Sequence, residues 1–409
     1  MPLLVKAIYN QQLQTNLIVP FESSVVLFVG FISIFFCAIL SKTISNNYSS
    51  KMGYLVEDIN FKKEYVLILL LLGGFFRLLH LKFNAGLEDG GGFGGFGVFK
   101  FVLLFALALA FKVYADTKDK KYVFYIVLAL IIASGLAIVG NTKKDILDFI
   151  LLSLLCIVFF KIKIGIKTIF SGLTFSLLVI LFISPAIHLT RFEFRDLSFS
   201  ERVEAVYRVI EENNFNYKAL ALAEGAFMQG FQFSYAEGGS YIYPESANLD
   251  RFFLILPIDQ IVRSETTSMG VNPFLIEIGE AILPSFLISK TAYTGPDLIA
   301  WQYGIRDKNS IARPVIGFIG SSYASNGILA VIFYPIIFLF PFLLIMDYVF
   351  GKMDNRLWGV FGFIVTVSFV EKEIDQILPF IFRNLPIILI FTYFLLVLQS
   401  KKIKGFKRV

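Results

Sequence analysis

The two basic residue types are distributed unequally along this 409-residue chain. Ten of the twelve arginines lie in or beside segments that the membrane topology derived below places outside, whereas lysine supplies sixteen of the eighteen basic residues in the inner segments. Arginine presents a planar fork of N–H donors that matches the oxygens of phosphates and carboxylates, which lysine does not. The sequence therefore predicts an anionic ligand bound at the outer surface.

Several cations stand at the predicted ends of helices, where they can converge around one cavity. The candidates for binding the anion are Arg77, Lys143, Lys144, Arg191, Arg195, Arg313 and Arg383. The alternative is that they reach lipid headgroups or form ion pairs with acidic residues of a large outer loop. Basic residues on the outer side oppose the usual orientation in a membrane, which favours a ligand for the set as a whole.

Titratable side chains near the same surface are candidates for a general base. They are His80, His188, Glu193 and Asp196. Imidazole titrates near neutral pH, although a lone histidine at a membrane interface can equally be structural. Asp148 follows Lys144 by four residues, so the two share one face of a helix. That pair either anchors the helix or holds Lys144 toward the ligand.

Aromatic and arginine residues of the predicted outer loop are candidates for contacting a glycan. Aromatic faces can stack on sugar rings, but the same side chains can form the core of the loop. The candidates are Arg251, Arg263, Tyr241, Tyr243, Trp301 and Tyr303.

The composition indicates that membrane helices must position these residues. Hydrophobic residues make up 56% of the chain, charged residues only 17%, and the mean hydropathy is +0.72, whereas a soluble domain carries roughly 25% charged residues. The apolar blocks have about the length of a helix that crosses roughly 30 Å of hydrocarbon. Blocks this uniformly apolar are helices rather than barrel strands. The predicted fold is an all-α polytopic membrane protein.

The apolar blocks predict nine membrane helices. They are Val25–Leu40, Tyr65–Leu81, Phe101–Phe111, Tyr122–Val139, Ile146–Phe160, Thr168–Ile187, Gly327–Met346, Leu357–Val370 and Pro386–Leu398. With the basic C-terminal tail in the cytoplasm, the inner segments hold eighteen Lys or Arg and the short outer segments seven, as the positive-inside rule requires. Residues 1–187 then form membrane helices 1–6, residues 188–326 a mainly helical outer cap, and residues 327–409 the last three helices and the tail.

The same composition argues against several classes of site. Cys37 and Cys156 both lie in apolar runs, where a thiol acts as a small hydrophobe, so neither a disulfide framework nor a thiolate metal site is expected. Two histidines are too few for a zinc centre. We therefore predict no metal and no cofactor. The net charge of +6 is scattered beside membrane segments, which excludes nucleic acid as a partner.

The expected ligand is a polyprenyl-diphosphate-linked sugar, because its tail would lie in lipid, its diphosphate at the cationic helix ends and its glycan beneath the cap. Two short motifs accompany this pattern. Asn141-Thr142-Lys143-Lys144-Asp145 opens a mid-chain helix, and IGSSYASNGIL, residues 319–329, stands at the next span after the cap. Together with the architecture they resemble the Wzy-type O-antigen and capsule polymerases. In that family a tyrosine precedes a glycine at the span entrance, here Tyr323 and Gly327, and arginine is usual where Lys143 and Lys144 stand.

The resemblance implies a metal-independent glycosyltransferase of the bacterial cytoplasmic (inner) membrane, with its C-terminus in the cytoplasm. It would polymerise undecaprenyl-diphosphate-linked oligosaccharide repeat units on the outer face, for O-antigen lipopolysaccharide, capsule or exopolysaccharide. Its expected partners are the lipid-linked oligosaccharide, the lipid bilayer, a chain-length regulator and a repeat-unit flippase.

Two alternatives stay open. An O-antigen ligase would use the same donor but transfer the glycan to the lipid A core. A flippase or transporter of anionic glycolipids would guide the substrate by its cations without forming a bond. Transporters typically carry charges at midplane depth, whereas here the ionisable residues within spans lie near the predicted outer ends.

Overall fold

A computed structural model describes most of the chain, and the described residues form α-helices without β-strands. The described residues are 6–7, 10–84, 94–140, 143–163, 165–190, 197, 199–230, 254–264, 266, 268–283, 293–305, 308, 315–354, 356–367 and 374–406. The prediction of an all-α membrane protein is confirmed at this level.

The first part of the chain contains the helices α1 (Pro20–Ser45), α2 (Lys51–Val56), α3 (Ile59–Asn84), α4 (Phe101–Thr117), α5 (Lys121–Val139), α6 (Lys143–Phe159), α7 (Ile166–Leu178), α8 (Ser184–Leu189), α9 (Phe199–Glu212) and α10 (Tyr217–Gly230). The second part contains α11 (Ile255–Arg263), α12 (Asn272–Ile282), α13 (Gly295–Gln302), α14 (Gly317–Tyr334), α15 (Phe340–Phe350), α16 (Leu357–Thr366), α17 (Ile374–Pro379) and α18 (Leu385–Phe406). A 3₁₀ turn, Gly94–Lys100, leads directly into α4.

Among the described residues, six helical segments are long and apolar enough to cross a membrane. They are Pro20–Ser45, Ile59–Phe83, Phe96–Thr117, Lys121–Val139, Gly317–Phe350 and Gln376–Gln399. Each contains one of the predicted spans. The other three predicted spans fall on shorter or segmented helices, namely α6, α16 and the succession from α7 to α8. The count of nine therefore stays a prediction.

Prolines are accommodated within the apolar helices by short π-helical segments. Each of the three segments ends two residues before a proline: Val179–Ile183 before Pro185, Pro335–Leu339 before Pro341 and Phe380–Asn384 before Pro386. A proline ring clashes with the carbonyl four residues earlier and removes one hydrogen bond. A wider local turn relieves that clash while the rest of the helix continues, as is tolerated in membrane helices.

The chain divides into two compact units. The first comprises residues 1–47, 221–345 and 368–383, and the second comprises residues 48–220, 346–367 and 384–409. The segment 188–326, which the sequence predicts to be one outer cap, contributes residues to both units. The two units therefore reflect packing rather than the order of spans along the chain.

In the second unit, α3 and α4 are antiparallel and approach each other closely. A Cβ built at Gly73 would lie 2.7 Å from the backbone nitrogen of Leu103, so only glycine permits this contact. Small residues at such positions let membrane helices approach closely. The segment that includes α4 is also the most buried of the six long apolar helices. The α3–α4 pair therefore forms the centre on which the second unit is built.

In the first unit, α1 packs against α11 and α14 through an apolar core of Val26, Ile258, Ile319 and Val331. The buried carboxylate of Asp259 accepts hydrogen bonds from the backbone nitrogens of residues 18 and 19, at 2.8 and 3.1 Å, and from the side chain of residue 23 at 2.7 Å. These donors surround the start of α1, where helix N–H groups have no partner within the helix and a negative charge is favourable. Asp259 thus fixes the N-terminal end of a membrane helix to α11.

Candidate functional site

The end of α3 carries two of the predicted site residues, Arg77 and His80. Arg77 is only 6% exposed, and His80 is half-buried. The imidazole lies against the 3₁₀ turn, where a Cβ added to Gly97 would be 3.1 Å from its Cε1 and 3.3 Å from its Nδ1. The glycine-rich segment after α3 therefore supplies a backbone surface against which the histidine ring rests, which the sequence did not reveal.

A third cation belongs to the same place. Lys100 ends the 3₁₀ turn, and both Lys100 and Arg77 act electrostatically on His80. Residues 65–84 and 94–111 contain no Asp or Glu, whereas Glu88 and Asp89 lie between them in a segment outside the described residues. We call Arg77, His80 and Lys100 the cationic cluster. Three cations at one place suit an anionic group, and the guanidinium can bind two phosphate oxygens at once.

The opposite end of α3 and α4 carries charges that balance. The ammonium of Lys62 lies 3.1 Å from Glu57 and 3.2 Å from Asp116, and that of Lys112 lies 3.7 Å from Glu57 and 3.1 Å from Asp116. A second oxygen of Glu57 accepts the backbone N–H of Leu357 at 2.7 Å, at the start of α16. We call the four side chains the balanced cluster. Two lysines matched by two carboxylates indicate a structural role for the balanced cluster.

The predicted Lys144–Asp148 pair lies in the first turns of α6. The helix begins at Lys143, as the motif predicts, and Asp148 is half-buried. The side chains of Lys143 and Lys144 are outside the described part of the structure. Their contact with Asp148 or with a ligand stays a prediction.

His188 lies at the end of α8 and is half-buried. The candidates that follow it along the chain, Arg191, Glu193, Arg195 and Asp196, lie outside the described residues, and so does Arg313. Their assignment to a diphosphate site or to a general base stays a prediction. The candidates for the general base therefore remain His80, His188, Glu193 and Asp196.

Two arginines of the segment that the sequence predicts to lie outside make contacts that are structural. Arg202 donates from Nη1 to the carbonyl of Val139 and from Nε to that of Leu197, each at 2.9 Å. Val139 is the last residue of α5, so the arginine caps a carbonyl that its helix leaves without a partner. Burial lowers the pKa of Arg202. Arg208 is 4.0 Å from Glu212 on the exposed side of α9. Arg208 thus forms an ion pair with an acidic residue of the loop, as the alternative expected, whereas Arg202 caps a helix end.

Three of the predicted glycan-contacting residues, Arg263, Trp301 and Tyr303, lie among the described residues of the first unit. Tyr303 is 5% exposed, its hydroxyl donates to the Ala324 carbonyl at 2.9 Å, and burial raises its pKa. Trp301 is half-buried and packs edge-on against Tyr293, with ring centroids 4.6 Å apart. Arg263 is exposed at the last turn of α11. Tyr241, Tyr243 and Arg251 lie outside the described residues. The contacts of Tyr303 are those of a core residue, and no contact with a sugar has been tested.

Arg383 was predicted to precede the last span. It lies within the apolar segment Gln376–Gln399, in the π-helical turn Phe380–Asn384, and its side chain is exposed. A cation inside such a segment is costly unless it faces polar surroundings or reaches the interface. The helix therefore starts about ten residues earlier than the apolar pattern indicated.

The Tyr323–Gly327 motif lies inside a helix rather than at its entrance. α14 begins at Gly317, and its helical backbone is interrupted at Asn326 (φ −144°, ψ 34°) and Gly327 (φ 62°, ψ −150°). The conformation of Gly327 is one that essentially only glycine adopts. Tyr323 is half-buried in the turn before the interruption. The span is thus a broken helix, and irregular backbone at membrane depth is tolerated where it lines a cavity or is buried in protein.

The backbone before the interruption is held by a neighbouring loop. The N–H of Met269 donates to the Ala324 carbonyl at 3.0 Å, and that of Gly270 donates to the Ser325 carbonyl at 2.8 Å. These bonds satisfy carbonyls that lose their helical partners at Gly327. Because an Asn-Gly dipeptide inside an apolar run is itself a turn signal, this is a feature that sequence reasoning could have found and missed.

No protein-family model, curated protein or solved structure matches this chain. Within the described residues no group of three or more His, Cys, Asp or Glu could hold a metal ion. The class that the structure defines is therefore a helical membrane protein, with a cationic cluster at one end of its central helix pair and a broken helix in its other unit.

Proposed function

We propose that this protein is a membrane glycosyltransferase that polymerises undecaprenyl-diphosphate-linked oligosaccharide repeat units on the outer face of the bacterial cytoplasmic membrane. The observation that carries the proposal is the cationic cluster. Buried Arg77 lies one turn from His80 on α3, and the charge of Lys100, at the end of the neighbouring 3₁₀ turn, acts on the same imidazole. A lipid-linked diphosphate places its anionic group at this depth, with its tail in lipid.

The reaction divides into two tasks. The oxygen of an acceptor hydroxyl bonds to the anomeric carbon of the donor sugar while the bond between that carbon and the diphosphate oxygen breaks. The diphosphate keeps the electron pair, and Arg77 and Lys100 stabilise the negative charge that grows there. The hydroxyl proton passes to a general base. His80 adjoins Arg77 by one turn of α3, and His188, Glu193 and Asp196 are the other candidates.

The direct test is product formation by the purified protein in detergent, where no membrane separates compartments. Incubation with undecaprenyl-diphosphate-linked repeat units should yield longer glycans on a gel and free undecaprenyl diphosphate. Arg77→Lys retains the charge but loses the fork of donors, and the rate should fall about ten- to a hundredfold, as for the loss of a charge-assisted hydrogen bond.

Arg208→Lys is the matched control, because Arg208 lies on the exposed side of α9 in a long contact with Glu212. Its rate should equal that of the unmodified protein. The thermal midpoint of each variant in the same detergent separates loss of chemistry from loss of folding. A stable Arg77→Lys variant with full activity would show that this guanidinium does not bind the leaving group.

A transporter of anionic glycolipids is the second candidate, because a broken membrane helix such as α14 is typical of transporters. A protein that releases no undecaprenyl diphosphate and lengthens no glycan, yet moves the lipid-linked unit across vesicles, would establish that alternative. An O-antigen ligase would instead require lipid A core as the acceptor, so adding that acceptor to the same assay identifies it.

A further inference from the structure

The interruption of α14 brings three polar side chains together in an apolar helix. The amide nitrogen of Asn326 lies 2.7 Å from the Tyr334 hydroxyl and 3.2 Å from the Ser325 hydroxyl, and the two hydroxyls are 2.9 Å apart. The Ser325 hydroxyl is also 2.9 Å from the carbonyl of Gly270. Ser325 is fully buried, and Tyr334 is 8% exposed. The loop, the broken helix and its next turn are therefore joined by one hydrogen-bonded chain.

The donor and acceptor in each of these hydrogen bonds follow from the number of hydrogens that the groups carry. The Gly270 carbonyl can only accept, so the one hydroxyl hydrogen of Ser325 points to it. Tyr334 must then donate to Ser325, and both hydrogens of the Asn326 amide nitrogen are used, one on each hydroxyl. Exchanging the oxygen and nitrogen of Asn326 would leave only the Tyr334 hydrogen for the three contacts among these side chains, so two of the contacts would have no hydrogen. The carboxamide oxygen therefore points away from the chain of bonds.

That oxygen is an acceptor to which no group in the described part of the chain donates. The side chain of Asn326 is exposed, and a Cβ added at the neighbouring Gly327 would meet no atom of the described residues within 4 Å. An acceptor facing hydrocarbon loses its hydrogen bond to water, a loss large enough to disfavour that orientation. The open space beside the interruption is thus expected to hold polar groups rather than lipid tails.

We infer that the Asn326–Gly327 interruption is a binding subsite for a neutral, hydroxyl-bearing group of the ligand, whose hydroxyl donates to the carboxamide oxygen of Asn326. An acceptor oxygen does not suit a phosphate, which offers oxygens of its own at neutral pH, so this subsite differs in chemistry from the cationic cluster. Assigning the hydroxyl to the glycan of a lipid-linked oligosaccharide rests on the proposed function. The requirement for a hydrogen-bond donor does not.

The probe is a radiolabelled neutral amphiphile, dodecyl maltoside, added in tracer amounts to the full protein in lipid nanodiscs. A photoreactive benzoylphenylalanine replaces Leu329, which is 63% exposed two residues beyond Gly327. Illumination then links to the protein only the probe that lies beside the Asn326–Gly327 interruption, and the bound radioactivity measures its amount. The comparison probe is dodecyl maltoside with every hydroxyl methylated, which keeps the acceptors and the tail but removes the donors.

Dodecyl maltoside should be captured about two- to twelvefold more than the methylated probe, the range expected for one neutral hydrogen bond. The Asn326→Leu variant should capture both probes equally, whereas Phe333→Leu, at a 52% exposed position of the same helix, should keep the preference. Equal capture of the two probes by the protein whose only change is the photoreactive residue at position 329 would overturn the inference, and this comparison needs no change at Asn326.

The outcome is separable from that of the proposed function. A preference for the hydroxylated probe in a protein that makes no polymer would support the subsite and refute the polymerase. Polymer formation without any preference would support the polymerase and overturn the subsite.

Discussion

Lys62 offers a quantitative test of the balanced cluster. Its ammonium is 2% exposed and contacts two carboxylates, whereas Glu57 and Asp116 are 22% and 26% exposed. Lys62→Met leaves those carboxylates with Lys112 alone, so one negative charge loses its partner in a largely buried place. Breaking a buried pair in this way costs about 3–5 kcal/mol. Because both carboxylates keep some contact with water, we expect about 3 kcal/mol.

The double variant Lys62→Met with Asp116→Leu removes one charge of each sign and leaves Lys112 with Glu57. Apolar residues of similar volume often replace a buried pair at little cost, so we expect a loss of about 1 kcal/mol. Lys121→Met is the control, because Lys121 and Asp119 are 56% and 43% exposed and 3.5 Å apart, and such pairs contribute at most about 1 kcal/mol. The free energy of unfolding is measured by titration with sodium dodecyl sulfate in mixed micelles. A double variant as unstable as Lys62→Met would refute the argument from charge balance.

Three further outcomes are expected. Gly327→Ala should destabilise the protein by about 1–3 kcal/mol, because alanine is strained in this backbone conformation. Gly135→Ala lies in α5, where no atom of the described residues is within 4 Å of the added Cβ, and it should stabilise the protein by about 0.5–1 kcal/mol. The same unfolding titration measures both variants, and the reverse order of stabilities would contradict the backbone conformation of Gly327. Asp259→Leu should lower the thermal midpoint much more than Ser23→Ala, because the loss of the carboxylate also leaves two backbone N–H groups without their acceptor. Equal shifts in the two variants would show that the carboxylate does not hold the start of α1. A cysteine at exposed Tyr207 should react with an impermeant thiol reagent in intact cells, and one at exposed Lys120 only after the cells are opened; the opposite pattern would invert the predicted topology.

The apolar pattern located the helices because hydrophobic length is a local property of the sequence. Six predicted spans lie within long apolar helices and the other three overlap shorter or segmented ones, although the pattern missed the first turns of several of them. α14, for example, begins ten residues before Gly327, because polar serines at its start are satisfied by carbonyls of their own helix and need no water. Periodicity cannot reveal this satisfaction of polar groups.

The site residues were less predictable, because their partners are distant in the sequence. The role of Arg202 depends on the end of α5, and the place of His80 depends on Gly97 across the turn. The spacing of aromatic residues does not distinguish Tyr303, whose hydroxyl donates to a carbonyl of α14, from an exposed aromatic side chain that could stack on a sugar. Residue type indicated which side chains could do chemistry, but only packing shows which of them meet.

The π-helical turn at Pro335–Leu339 has a consequence for insertions and deletions. Ala330, Tyr334, Phe338 and Phe342 are all buried, at intervals of four residues. In a plain α-helix, positions four apart drift around the axis by about 40° at each step, and the wider turn offsets part of that drift. Deleting one residue there would rotate all that follows in the helix by about 100°, turning apolar faces away from their neighbours at a distance from the deletion. A span that tolerates many substitutions is therefore expected to be intolerant of a change in length.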